Sequence, residues 1–182
     1  MKSAYRVLSI VSLVVVFIVG YVGINAYADK LRITQYKYTI TAQHLQMIYN
    51  QLRISSGQYG LPELVIVDNS EINAYTDGNA VYVNQGIINQ FDNDDEAALV
   101  LGHEIAHILL GHTSLQMPVP QTIKEAQADK YGAFLAMKSG YDVCKGREIF
   151  DKIKKLFGDD PTNDHPALAY RVDQLNVGCD KN

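Results

Sequence analysis

Basic clusters, cysteines, long apolar runs and repeated segments are all scarce in this chain of 182 residues. Sixteen Lys and Arg stand against twenty Asp and Glu, a net charge of −4, and no basic block runs along the sequence. A nucleic-acid partner needs such a block to neutralise phosphates, so that class is excluded. Only two cysteines occur, Cys144 and Cys179. Structural zinc sites are usually closed and cysteine-rich, and neither cysteine lies near the histidines of residues 101–112, which disfavours one. With no internal repeat or low-complexity tract, what remains is an ordinary globular composition, long enough for one sizeable core and short for two.

One long apolar run is present. Lys2 and Arg6 precede an uncharged, largely apolar stretch from Val7 to Ala28, the pattern of an export signal or a membrane anchor. Ala26-Tyr27-Ala28 has the small-x-small form of a signal-peptidase site before Asp29, whereas the length of the run favours retention, and both outcomes stay open. Residues 1–28 are therefore expected to be an anchor or signal peptide and residues 29–182 the working domain, on the extracytoplasmic side. A single such run excludes a multi-pass chamber within the membrane. In an oxidising compartment Cys144 and Cys179 would form one disulfide between a helix and the C-terminal tail; two free buried thiols are the alternative.

Downstream, apolar residues recur at helical spacing from Lys30 to Arg53, and Gly57 and Gly60 end the pattern. His44 in this helix is a lone histidine, an ordinary surface or core residue. "LPELVIVDN" reads as a strand, and "INAYTDGNAVYVNQG" as a hairpin turning at Asp77-Gly78-Asn79. Asn93 followed by Glu96 resembles a capping box that opens a helix running to about Gly111. Further helices are expected over Thr122 to Ser139, Gly146 to Phe157 and Pro166 to Leu175. The order predicts an α+β fold: a small antiparallel sheet and a mostly helical C-terminal half.

The chemistry concentrates in "LGHEIAHILLGH", residues 101–112. His103, Glu104 and His107 form H-E-x-x-H, and at about 100° per residue the two imidazoles lie about 40° apart, one turn above the other. Both can reach one ion. Zn²⁺ suits neutral imidazole nitrogen and carboxylate oxygen, and a catalytic site takes three protein ligands and leaves a position open. Glu104, beside the ligands, is placed to take a proton from water. A third ligand is required. Helical arithmetic puts His112 about 140° from His107, so it is expected to point away and to cap the helix C-terminus, where a protonated imidazole is favoured. Glu125 on the following helix fits better. Asp129, one turn on, could hold the free ring nitrogen of a ligand histidine, and Ala126, Ala128, Gly132 and Ala133 let that helix approach closely.

At these residues the chain resembles the gluzincin metallopeptidases of the HtpX-like and CAAX-prenyl-endopeptidase-like group, which includes bacterial periplasmic quality-control proteases. The likeness covers most of residues 60–176. "HEIAHILLGH" resembles that group's H-E-x-x-H helix, and "EAQADKYGAFLAMKSGYD" its E-x-x-A-D helix, which implies Glu125 as third ligand and Asp129 as its support. "NAYTDGNAVYVNQGII" is similar to the group's edge strand, implying that a substrate peptide pairs along Asn73, Ala74 and Tyr75. "DHPALAYRVDQL" resembles its His-Pro segment, implying that His165 and Arg171 lie near the reacting carbonyl and stabilise its oxyanion. Asp164 stands where relatives often carry Ser or Thr, and the link from Gly111 to Lys124 is short. The resemblance thus implies a zinc endopeptidase with one Zn²⁺ per subunit, acting on protein or peptide substrates, with membrane contact through the N-terminal segment if that is uncleaved. The rival expectation is a latent, chaperone-like module that binds unfolded proteins without cutting them.

Overall fold

The computed structural model describes residues 38–114 and 119–158, together with 171, 175 and 179. The expected signal or anchor over residues 1–28 and the loop carrying His165 lie outside the described residues, as do residues 30–37 of the expected leading helix and all of the expected last helix but Arg171 and Leu175. Among the described residues no helix is long and apolar enough to cross a membrane.

Helix α1, Ala42–Ser56, starts where Thr41 accepts a hydrogen bond from the backbone of His44 at 3.1 Å, and it buries Leu45, Ile48, Tyr49 and Leu52. Their three- and four-residue spacing is that of one helix face. Three strands follow: β1 Glu63–Val67, β2 Ala74–Thr76 and β3 Ala80–Asn84. The β2–β3 pair is the expected hairpin, with Tyr75 opposite Tyr82. Asp77 shapes its turn by accepting from the backbone of Asn79 at 2.8 Å and of Ala80 at 3.0 Å.

Strand β1 departs from expectation. It runs parallel to β3, so the sheet has the order β1-β3-β2 and is mixed rather than antiparallel. The cause lies in the 68–73 connection, which carries the chain past β3 before the hairpin begins. That connection is pinned by Gly86 N–H to Asn69 O at 2.9 Å and by Asn84 N–H to Asn73 O at 3.1 Å. β3, between two partners, buries every residue but Tyr82. A short helix α2, Gln85–Ile88, follows at once.

Helix α3, Asp94–Leu109, is buried at every position from Glu96 to His107. Asn93 caps it by accepting from Glu96 N–H at 3.0 Å. The box is not reciprocal, however: the Glu96 carboxylate accepts from Asp92 N–H at 2.7 Å, one residue further out, and pairs with Lys152 at 2.7 Å. Helix α4, Gln121–Lys138, lies along α3, and α1, β2 and β3 also touch α3. In place of the single helix expected over Gly146 to Phe157 there are two, α5, Val143–Gly146, and α6, Glu148–Phe157. Asp142 caps α5 by accepting from the backbones of Cys144 and Lys145, which moves the helical start ahead of Gly146. Cys144 on α5 and Cys179 are joined by a disulfide.

Candidate metal centre

The approach of α4 to α3 sets the site. A methyl group on Gly132 would lie 2.6 Å from the backbone nitrogen of His103, and one on Gly102 would lie 2.7 Å from Gly132 O. Only glycine at both positions lets the two backbones meet this closely. The contact falls beside the first histidine of the motif and carries Asp129 and Glu125, about one and two turns earlier on α4, to it.

Three side chains then converge in the interior. His103 Nε2 and His107 Nε2 are 3.0 Å apart, and the two Glu125 carboxylate oxygens lie 3.4 Å from the first and 3.3 Å from the second. Around a tetrahedral ion with bonds of about 2.0–2.1 Å, neighbouring donors sit about 3.3 Å apart. The separations, the two imidazoles and the carboxylate all fit Zn²⁺ in a site with a position left for water. No other group of three potential ligands converges among the described residues. Gln121 donates to Glu125 Oε1 at 2.8 Å, steadying the carboxylate. Glu104 is buried beside His103.

The far nitrogen of His103 faces Asp129. His103 Nδ1 and Asp129 Oδ1 are 2.8 Å apart, and Arg171 grips the same carboxylate with Nη2 at 2.7 Å and Nε at 3.0 Å. Arg171 Nη2 also comes within 3.2 Å of His103 Nδ1. Guanidinium has no acceptor, and Nδ1 turns its proton to Asp129, so this last approach is proximity rather than a hydrogen bond. Burial would raise the Asp129 carboxyl, but Arg171 and His103 outweigh it and hold it down at about 2. In the metal-free protein burial and the Arg171 charge push His103 down, yet Asp129 and Glu125 prevail and lift it to about 9. His107 goes the other way, lowered by burial and by the charge of His103 against the pull of Glu125.

Arg171 was expected beside the reacting carbonyl. The structure places it behind His103, on the Nδ1 side, with two of its donors committed to Asp129 and its guanidinium 4.6 Å above the Phe150 ring. His165 lies outside the described residues. Asn73, Ala74 and Tyr75 sit at and just before β2, an edge strand that touches α3. Ala74 is buried, whereas Tyr75 is exposed and stacks on Tyr82 with ring centroids 4.8 Å apart.

His112 is a clear correction. It does not point away from His107, since the two Nδ1 atoms are 3.1 Å apart. Nor is it a protonated cap: burial, with the Lys124 charge adding, lowers its pKa. Gly111 is the reason. It takes a left-handed φ of 71°, and the chain closes with Gly111 N–H to Ile108 O at 3.0 Å and His112 N–H to His107 O at 2.9 Å. These two bonds make a Schellman ending, which folds the second residue past the helix back over the last turn. Angular arithmetic ends at such a glycine, and Gly111 itself was the signal available in the sequence. Gln127 and Lys124, which hold the folded-back histidine, carried no comparable mark.

The sequence profile of peptidase family M48 matches residues 39–123, which takes in the whole H-E-x-x-H helix and stops short of Glu125. Over 153 residues the chain is 26% identical to the mitochondrial metalloendopeptidase OMA1 of Arabidopsis thaliana, covering 63% of this chain and 32% of that protein. It is 51% identical over 57 residues to the protease HtpX of Xanthomonas campestris and 47% identical over 57 residues to that of Xanthomonas oryzae, covering 29% of this chain and 19% of each. The chain thus spans a third or less of the length of these curated relatives.

Proposed function

From the family M48 match and the convergence of His103, His107 and Glu125, we propose that this chain is a zinc-dependent endopeptidase with a zincin-like domain over residues 29–182. The donor separations at the site carry the reading. His103 and His107 present neutral Nε2 atoms, and Glu125 a carboxylate, to one Zn²⁺. When bound, the ion supplies acidification of water and polarisation of the scissile carbonyl. Glu104 takes the proton of the attacking water and delivers it to the leaving amine. Asp129 accepts from His103 Nδ1–H and keeps Nε2 free for coordination. The substrate strand lies along β2 at Asn73, Ala74 and Tyr75, pairing backbone to backbone. His165 donates to the oxyanion, a task for which Arg171 has fewer free donors than the sequence suggests.

The disulfide between Cys144 and Cys179 supports an oxidising compartment, and with the apolar run over residues 7–28 it favours an exported domain that is anchored or released. Protein quality control on that side of the membrane is the role this reading assigns. Both relatives carry protease names, which does not favour a latent binding module. Hydrolysis of unfolded casein provides the test. A chelator is expected to abolish it and one equivalent of Zn²⁺ to restore it; cleavage undiminished in chelator would refute the metal mechanism.

A further inference from the structure

The two ligand histidines have different supports, and only one was foreseen. His103 rests on Asp129. His107 rests on His112, whose Nδ1 is 3.1 Å from His107 Nδ1 and whose Nε2 is 3.0 Å from Gln127 Oε1. We infer that His112 and Gln127 form a neutral hydrogen-bonded chain that positions His107 for metal binding. The inference rests on the metal-centre reading above and extends it to residues outside the ligand set.

Proton bookkeeping fixes the direction of the chain. With His107 Nε2 turned to Glu125 and the other ligands, the ring proton of His107 is on Nδ1 and donates to His112 Nδ1. His112 must then carry its own proton on Nε2, which donates to Gln127 Oε1, an acceptor that the amide offers in the observed orientation. Each ring N–H along the chain thus meets an acceptor. The arrangement is also built rather than incidental. The Schellman ending brings the residue after Gly111 against the side chain of His107, a place usually filled by an apolar contact. Lys124 Nζ holds His112 O at 2.9 Å from α4, and the hairpin tip at Gly78 abuts Thr113, so the turn is clasped from two sides. Lys124 and Gln127 flank Glu125 in sequence. One short stretch of α4 therefore supplies the third ligand, the partner of His103 and the outer link behind His107.

Zinc affinity of the full chain, measured by competition with a chelating indicator, tests this directly. In His112→Asn the amide oxygen replaces Nδ1 as an acceptor, whereas His112→Leu has none. Loss of a supporting partner lowers metal affinity by about 10–100-fold. The Leu variant is expected to fall by that factor and the Asn variant to keep most of the wild-type affinity, with both still folded when zinc-free. Gln127→Leu, which breaks the outer link alone, is expected to weaken binding in the same direction by less. Wild-type affinity in both His112→Leu and Gln127→Leu, or equal losses in His112→Leu and His112→Asn, would overturn the inference. A wild-type chain that binds no zinc would overturn the metal-centre reading itself, and this inference with it.

Discussion

Behind His103 stands an ion pair and behind His107 a neutral chain, although both supports serve to fix a ring and its tautomer. Asp129 and Arg171 are charged, buried and drawn from α4 and from a segment near the C-terminus. His112 and Gln127 are uncharged, and His112 comes from the end of the same helix that carries His107. Against burial and the Arg171 charge, Asp129 and Glu125 make His103 basic, at about 9 in the metal-free protein, while burial and the charge of His103 leave His107 below the usual imidazole value. Two like histidines one turn apart are thus made unlike by their surroundings, with Asp129 on one side only. The difference also keeps one proton, rather than two, in competition with the metal near neutral pH.

The comparison can be broken most forcefully at Asp129. Asp129→Leu leaves Arg171 buried without its partner, and a broken buried pair costs about 3–5 kcal/mol. Urea unfolding of the zinc-free protein should show that loss, against about 1 kcal/mol for His112→Leu, where only neutral hydrogen bonds go. Similar losses on the two sides would remove the distinction. Gly132→Ala acts on both sides at once, because the added methyl meets backbone at His103 and Gly102 rather than a yielding side chain. A destabilisation of about 3 kcal/mol, at the upper end for overpacking, is expected together with weaker zinc binding.

Acidity separates the two sides further. Asp129 is depressed from 3.8 to about 2, so its stabilisation is complete above pH 3.8 and disappears as pH falls through about 2. His103 is raised from 6.5 to about 9, so in the zinc-free protein its stabilisation is complete below pH 6.5 and disappears as pH rises through about 9. Stability measured against pH should therefore fall on both flanks, by on the order of 2 kcal/mol on the acid one. Asp129→Asn should flatten both flanks and Gln127→Leu neither. The smallest effect belongs to Gln127→Leu itself, about 1 kcal/mol or less in unfolding free energy.

Much of this arrangement was legible from local signals. The H-E-x-x-H spacing, the Asn93 cap, the Asp77-Gly78-Asn79 turn and the glycine on α4 are each decided within a few residues, and chain and structure agree on them. The parallel register of β1 was not legible, because it depends on how the 68–73 connection crosses the end of β3. The side of His103 on which Arg171 sits depends on contacts 42 and 68 residues apart in sequence, and the Glu96–Lys152 pair spans 56. His112 is the instructive miss. A helical period places residues only while the helix lasts, and the left-handed Gly111 reverses the direction of the next side chain.

Under the proposed function three side chains hold one zinc while Glu104 moves the proton. Zinc content and casein turnover measured together on Glu104→Gln test it most directly. One zinc per chain, as in wild type, is expected, with turnover lowered by about 10²–10⁴-fold, the usual contribution of a general base. Turnover near wild type with zinc in place would contradict it.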